Sequence, residues 1–510
     1  MKALKLFFSR GMIVALAVIL QAAALAILML ASSLFSFWTA IFFVLLDIFI
    51  FFHMINKDSD PSFKLLWMFL IVLLPVFGNV LYIFLANPKI HRRENEALAR
   101  IETKREAYLS SDPSYQRAME ERLGKYSGVE HLLATTAYSH GHLGNRLTYY
   151  GDGASFFRDL IESVREAHSF IFLEFFIIKR GKVWDELYPL LLQKVSEGVE
   201  VRILYDDVGT LGELEGSFCR KLEKKGICCR KFNPVRPILS GIYNYRDHRK
   251  IAVIDGRVAY TGGMNIADEY AGLYEPYGKW KDSALRIRGS AVSNFTFLFL
   301  QLFGICGPAD ELNYTPYFDS LPKEATAGGY VHPFGTGPEP FYGTSVAENT
   351  FLSLINSAER YLYITTPYLI MNHTVETALR NAAYRGVDVR IVTPHIPDKK
   401  IVFQMTRASY RPLLDAGVRI FEYSPGFIHA KQVIADGEIG FVGSINLDFR
   451  SLSHHFECGA LICRDPVLES IRRDFDGLFE VSAEVTRENF RMNRFGYLIS
   501  RVLGLFAPLF

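Results

Sequence analysis

The chain has 510 residues, with 56 lysines and arginines against 54 aspartates and glutamates, a formal net charge of +2. That balance excludes a nucleic-acid binder working through bulk charge, so no nucleic-acid partner is expected. Half of the residues are hydrophobic and the mean hydropathy is slightly positive, high for a wholly soluble protein, while the length allows two or three globular units.

The apolar excess lies at the N-terminus. Residues 11–55 carry Asp47 as their one acidic or basic charge, and a second apolar run covers residues 65–86. A region of 1–87 with three spans, at about 12–33, 36–55 and 65–86, fits these lengths. The break near Ser32, Ser33 and Ser36 is weak, so two longer spans are the alternative; Pro75 and Gly78 permit a kink. A secretory signal peptide, with its short apolar core, does not match. Lys2, Lys5 and Arg10 favour a cytoplasmic start, and Lys89, Arg92 and Arg93 a cytoplasmic exit. Two spans satisfy both and three do not. The expectation is a multi-pass protein of the cell membrane with its main domain in the cytoplasm.

Residues 88–140 are polar and charged and read as a linker or interfacial helix. From about 141 the periodicity alternates. Helix 154–167 precedes strand 169–178, and helix 184–198 precedes strand 199–209. The same order recurs later: helix 346–359, strand 360–370, helix 374–386, strand 387–394. EGVEVRI at 197–203 matches RGVDVRI at 385–391, an offset of 188. An internal repeat of this kind predicts an α/β protein of two similar lobes, 141–310 and 330–485. Residues 486–510 mix arginines with apolar residues, as in an amphipathic interfacial helix or one covering the second lobe.

Each lobe carries one copy of the same constellation. HRKIAVIDG at 248–256 aligns with HAKQVIADG at 429–437. His248 then meets His429, Lys250 meets Lys431, Asp255 meets Asp436, Gly262-Gly263 meets Gly443-Ser444, and Asn265 meets Asn446. One copy reads as a solvated charge pair at a strand edge. Two copies at matching places point to a shared site. Two imidazoles divide nucleophile and acid/base work, two lysines supply fixed positive charge, and two asparagines supply neutral donors. That set suits a phosphate group and lacks a carboxylate cage for magnesium, so no metal or cofactor is expected. The six cysteines lack zinc-ligand spacing and read as mostly buried thiols.

The doubled motif resembles that of the phospholipase D superfamily, departing from it in Gly263 where the second copy has Ser444. The segments 60–85, 233–270 and 447–459 resemble bacterial cardiolipin synthases, and the likeness runs from about residue 60 to the end. It implies two lobes packed with their motifs facing, forming one catalytic unit behind transmembrane helices. It further implies joining of two phosphatidylglycerols into cardiolipin, with release of glycerol, through a phosphohistidine. By the same resemblance His248 is the nucleophile and His429 the acid/base, although the residues themselves are symmetric. A carboxylate downstream of each motif is implied to orient its histidine: Asp282 for the first and Glu457 for the second. The implied catalytic set is His248, Lys250, Asp255, His429, Lys431 and Asp436, with phosphate bound by Lys250, Asn265, Lys431 and Asn446. Asp255 and Asp436 read physically as turn-pinning residues. Segment 235–246, with Arg236 and Arg246, reads either as a headgroup contact or as a surface loop. Rival readings are a membrane-bound phospholipase D that hydrolyses phosphodiesters and an inactive membrane scaffold.

Overall fold

A computed structural model describes residues 33–57, 61–86, 101, 105–109, 113–235, 244–307, 314–318, 328–492, 494–504 and 506. The chain divides into two compact units, one built mainly on the N-terminal apolar region and one running from His91 to Arg501 apart from Val235–Asn244.

In the first unit, helix Ser33–Asn56 contains a 20-residue stretch, Phe37–Asn56, long and apolar enough to cross a bilayer. The expected span at 12–33 lies outside the described residues but for Ser33, as do the flanking basic residues. The expected span at 65–86 is not one straight helix. It breaks between Pro61–Leu73 and Pro75–Leu81, where Leu74 leaves helical geometry and Pro75 lacks the amide to continue. Gly78 then lies so close to the Leu70–Ile71 backbone that a Cβ would sit 2.6 Å from the Leu70 carbonyl oxygen, so the pieces fold back on each other. Asn79 donates to Asp47 at 2.6 Å, giving the charge in the apolar helix a partner.

The second unit holds both repeats. The strands are β1 (His142–Leu143), β2 (Arg146–Tyr150), β3 (Phe170–Phe175), β4 (Glu200–Asp206), β5 (Cys228–Phe232), β6 (Lys250–Ile254), β7 (Val258–Gly262), β8 (Lys279–Lys281) and β9 (Ala284–Arg288). There follow β10 (Tyr330–Thr336), β11 (Tyr361–Thr365), β12 (Asp388–Pro394), β13 (Arg419–Tyr423), β14 (Gly426–Ile428), β15 (Gln432–Ala435), β16 (Ile439–Gly443), β17 (Glu457–Cys463) and β18 (Ser482–Val485). One sheet runs β2-β9-β7-β6-β3-β4-β5 and the other β1-β10-β17-β16-β15-β11-β12-β13-β18. All seven strands of the first sheet match β10-β17-β16-β15-β11-β12-β13 of the second in order and direction. β3-β4-β5 and β11-β12-β13 are parallel, and in each sheet the motif strand, β6 or β15, returns antiparallel beside the first of them. Of these strands β3, β6 and β15 are buried along their whole length, on both faces.

Helix Gly153–Arg165 begins at Asp152, whose carboxylate accepts from Ser155 N at 2.8 Å, and buries Phe156, Phe157, Leu160, Ile161 and Val164 at helical spacing. Helix Val292–Ile305 is apolar but buried from Val292 to Gly304, so it is a core helix and not a span. Two boundaries differ from expectation. β1, within the first lobe by sequence, pairs with β10 in the second lobe's sheet. Residues 113–136, expected as linker or interfacial helix, form helices Pro113–Leu123 and Ser127–Thr136 that bury Met119, Leu123, Val129 and Leu133 in this unit. Helix Arg494–Gly504 leaves Leu498 and Val502 exposed.

Candidate active site

His248 stands just before β6 and His429 just before β15, so the two strands deliver the histidines from the same position in each sheet. The lobes are stitched at this point. β8 of the first lobe pairs in parallel with β14 of the second, and Asp247 bridges to Phe456. The backbone N–H of His248 donates to the Phe456 carbonyl at 2.8 Å, and that of His429 donates to the Lys281 carbonyl at 2.7 Å.

The side chains repeat this exchange. His248 Nδ1 lies 2.9 Å from both oxygens of Glu457, and His429 Nδ1 lies 2.7 Å from Asp282 Oδ2. The implied pairing of each histidine with the carboxylate downstream in its own copy is therefore corrected: each histidine is oriented by the carboxylate of the other lobe. Spacing along the chain cannot reveal this, because the lobes face one another about an approximate two-fold relation. With Nδ1–H held by a carboxylate, Nε2 of each ring keeps its lone pair.

Both lysines are buried, and each Nζ donates to the carbonyl of its own motif histidine. Burial lowers Lys250 to about 8 and Lys431 to about 7. Burial, then Lys250, Lys431 and His429, push His248 well below its ordinary value. Burial and Lys431 take His429 down to about 4 against the pull of Asp282. Burial would raise Asp282, but His429 and Lys431 hold it below its usual value. Each lysine acts electrostatically on the opposite histidine, so the four groups share one centre.

The remaining motif residues separate from that centre. Asp255 and Asp436 sit past the far ends of β6 and β15 in left-handed backbone, φ 53° and 56°. Asp255 accepts from the backbone N–H groups of His168, Ser169 and Phe170, and Asp436 from those of Glu359, Arg360 and Tyr361. Their place in the catalytic set is corrected accordingly: they fasten a turn and do not reach the reacting groups. Asn265 accepts from Ile177 N and donates to Tyr270 OH, and Asn446 donates to Asp448 Oδ2 at 2.9 Å. Each carboxamide thus braces its own loop and keeps one Nδ2 hydrogen for a ligand. A Cβ at Gly263 would lie 2.1 Å from Asp282 Oδ1, whereas Ser444 donates to Glu457 Oε2 and accepts from Cys458 N. Of the six cysteines, three are buried and Cys228 is exposed.

A cardiolipin synthase, phospholipase D-like domain model matches residues 160–274 and 351–479, and a phospholipase D-nuclease N-terminal model matches residues 45–87. A cardiolipin synthase of Halalkalibacterium halodurans is 32% identical over 461 residues, 89% of this chain and 90% of the relative. The chain belongs to the cardiolipin synthase family. Cardiolipin synthase 2 of Bacillus cereus is 33% identical over 89% of this chain and 88% of its own length. An uncharacterized protein of Streptococcus mutans is 38% identical over 90% of this chain and 98% of its own. A crystal structure of phosphatidylserine synthase from Haemophilus influenzae covers 75% of this chain and 98% of its own, with TM-score 0.57 and 16% identity, and shares the fold.

In this cardiolipin synthase family member, two features of the site went unread in the sequence. Beneath His248 lies a buried acidic group of Glu174, Asp206 and Asp247 with Arg246 and Arg249. Burial and Asp247 push the Glu174 carboxyl well up, and burial takes Asp247 to about 7 against the pull of Arg249. The available signal was a lone glutamate inside the apolar run SFIFLEFFII. The second is His455, whose ring lies 5.6 Å from that of His248. Its signal was the doubled histidine just ahead of Glu457.

Proposed function

We propose that the protein is a cardiolipin synthase, a phosphatidyltransferase that joins two phosphatidylglycerols and releases glycerol. The observation carrying this is the pair of buried His–Lys sets, each completed by the opposite lobe, in a chain whose relatives are named for that reaction. In the proposed cycle, His248 Nε2 attacks the phosphorus of the first lipid. The bond to the glycerol oxygen breaks, and His429 gives that oxygen its proton. His429 then takes a proton from a headgroup hydroxyl of the second lipid. That oxygen attacks phosphorus, the P–N bond breaks, and cardiolipin leaves. Lys250 and Lys431, with Asn265 and Asn446, hold the phosphate oxygens as negative charge develops.

The family resemblance assigns the attack to His248 and the proton transfer to His429; burial and the lysines favour the neutral ring of His248, and Asp282 pulls His429 upward. An arriving anionic phosphodiester offsets the lysine charges and raises both rings toward a range where a proton can move. One phosphodiester is exchanged for another, so the proposed reaction needs no nucleotide. Helix Ser33–Asn56 crosses the membrane, and the folded-back segment Pro61–Ala86 completes a multi-pass anchor with the catalytic unit on the cytoplasmic side.

The test is to incubate the full-length protein in detergent with phosphatidylglycerol alone and to quantify lipids and glycerol. Cardiolipin with an equal amount of glycerol is expected. Phosphatidic acid as sole lipid product means a hydrolase, and no turnover of any phosphodiester means a scaffold. A phosphorylated peptide containing His429 and none containing His248 would reverse the two roles.

A further inference from the structure

His455 has no part in the proposed cycle, and its surroundings are unusual. The side chain is 13% exposed, and neither ring nitrogen has a hydrogen-bond partner. An imidazole shielded from solvent whose nearest polar partner is a carboxylate beyond hydrogen-bond distance calls for a specific explanation. Its Nδ1 lies 3.7 Å from Glu457 Oε1, the oxygen that is also 2.9 Å from His248 Nδ1. One ligand atom from each of His248, His455 and Glu457 falls within 4.8 Å of the other two. His455 and Glu457 are two apart as the chain enters β17, and His248 comes from the opposite lobe.

Two imidazoles and one carboxylate are a donor set for a borderline divalent transition metal, with the fourth tetrahedral position left to water. Donors around such an ion stand about 3.3 Å apart, given bonds of about 2.0–2.1 Å. Two of the separations, 2.9 and 3.7 Å, already bracket that value, and the third is no more than 4.8 Å.

We propose that His248, His455 and Glu457 form a binding site for a zinc-like divalent cation, and that its occupancy switches the enzyme off. The inhibitory consequence rests on the transferase reading; the site itself does not. Capture of His248 Nδ1 displaces the proton that Glu457 accepts there. The ring's single proton moves from Nδ1 to Nε2, the atom that must attack phosphorus, so its lone pair is taken up and the nucleophile is lost. Capture of Nε2 blocks attack directly. The ion also spans the two lobes, since its donors come from both. Access is from the side of His455, the most exposed of the three side chains.

The experiment uses the full-length, lipid-free protein in detergent, with zinc chloride titrated against a chromophoric chelator. One zinc per chain is expected, weakened at least tenfold in His455→Ala and in Glu457→Gln, and retained in His429→Ala, with thermal unfolding checking that each variant is folded. In the activity arm, phosphatidylglycerol turnover is measured with and without zinc, each variant against its own metal-free rate. Wild type is expected to lose turnover reversibly, with recovery on adding chelator, and His455→Ala to resist. Wild-type zinc affinity in His455→Ala, or no stoichiometric zinc in the wild type, overturns the site. Zinc that binds through His455 yet accelerates turnover overturns the inhibitory role. His455-dependent zinc binding in a chain that turns over no lipid leaves the site standing and removes only the transferase reading.

Discussion

Gly263 and Ser444 occupy the same place in the two motif copies, and only the second has room for a side chain. Asp282 is one carbon shorter than Glu457 and its carboxylate lies where the Cβ of residue 263 would be. Gly263→Ser should displace Asp282 from His429 and cut phosphatidylglycerol turnover by about a hundredfold, since displacements near 1 Å at a reacting centre cost about that much. Ser444→Gly loses one hydrogen bond to Glu457 and should cost about tenfold or less. Circular dichroism on both variants separates this from misfolding. The motif histidines and lysines set the pH dependence. His248 stays neutral well below pH 6.5, so acid does not limit attack near neutrality. Lys431, at about 7, and Lys250, at about 8, are charged below those values and lose their protons as pH rises through them. kcat/KM should therefore fall on the alkaline side, from about pH 7 to 8; a profile that climbs through that window contradicts the phosphate-binding role. At this scale the repeat brought the motif histidines and lysines to notice, because it doubled them, but it doubled the turn aspartates as well. It hid which carboxylate serves which histidine, because contact across two lobes leaves no trace in spacing.

At the scale of elements, the motif aspartates are the clearest structural devices. Asp255 closes the turn after β6 and, through three backbone N–H groups, fixes where β3 begins. Asp255→Ala removes that acceptor and puts alanine in left-handed backbone, so unfolding free energy should fall by about 2–4 kcal/mol in urea denaturation. Chains that remain folded should keep most of their turnover. A tie of the same sort docks helix Ser127–Thr136. Its Glu130 accepts from His332 Nδ1 at 2.6 Å and from Tyr330, while Ser139 Oγ lies 2.9 Å from His332 Nε2. The strands and amphipathic helices were legible, since their apolar residues recur at periods of two and 3.6. Residues 113–136 were legible only as a linker or interfacial helix, because the strand that a charged surface helix covers cannot be read from its own residues. The break at Leu74 was visible only as a proline and a glycine, residues that a straight span also tolerates.

At the scale of the molecule, the two lobes form one site per chain. Mixing His248→Ala with His429→Ala chains should leave turnover at background, because each chain still lacks one histidine at its own seam; recovered turnover would mean that lobes exchange between chains. The repeat made the bilobal plan readable from the sequence, whereas the anchor was readable only in part, with helix Ser33–Asn56 found and 65–86 folded back on itself. The crossed carboxylates have a further effect on fidelity. If the seam opens by a few ångströms, both imidazoles lose the partner that fixes their tautomer in the same movement. A parted enzyme is then a poor acid and a poor base together, and a phosphorylated histidine exposed by that movement has no neighbour able to activate water against it. In the proposed cycle the crossed contacts would therefore act as a coincidence detector, arming both imidazoles only while the two halves are closed and disfavouring loss of the phosphatidyl group to solvent.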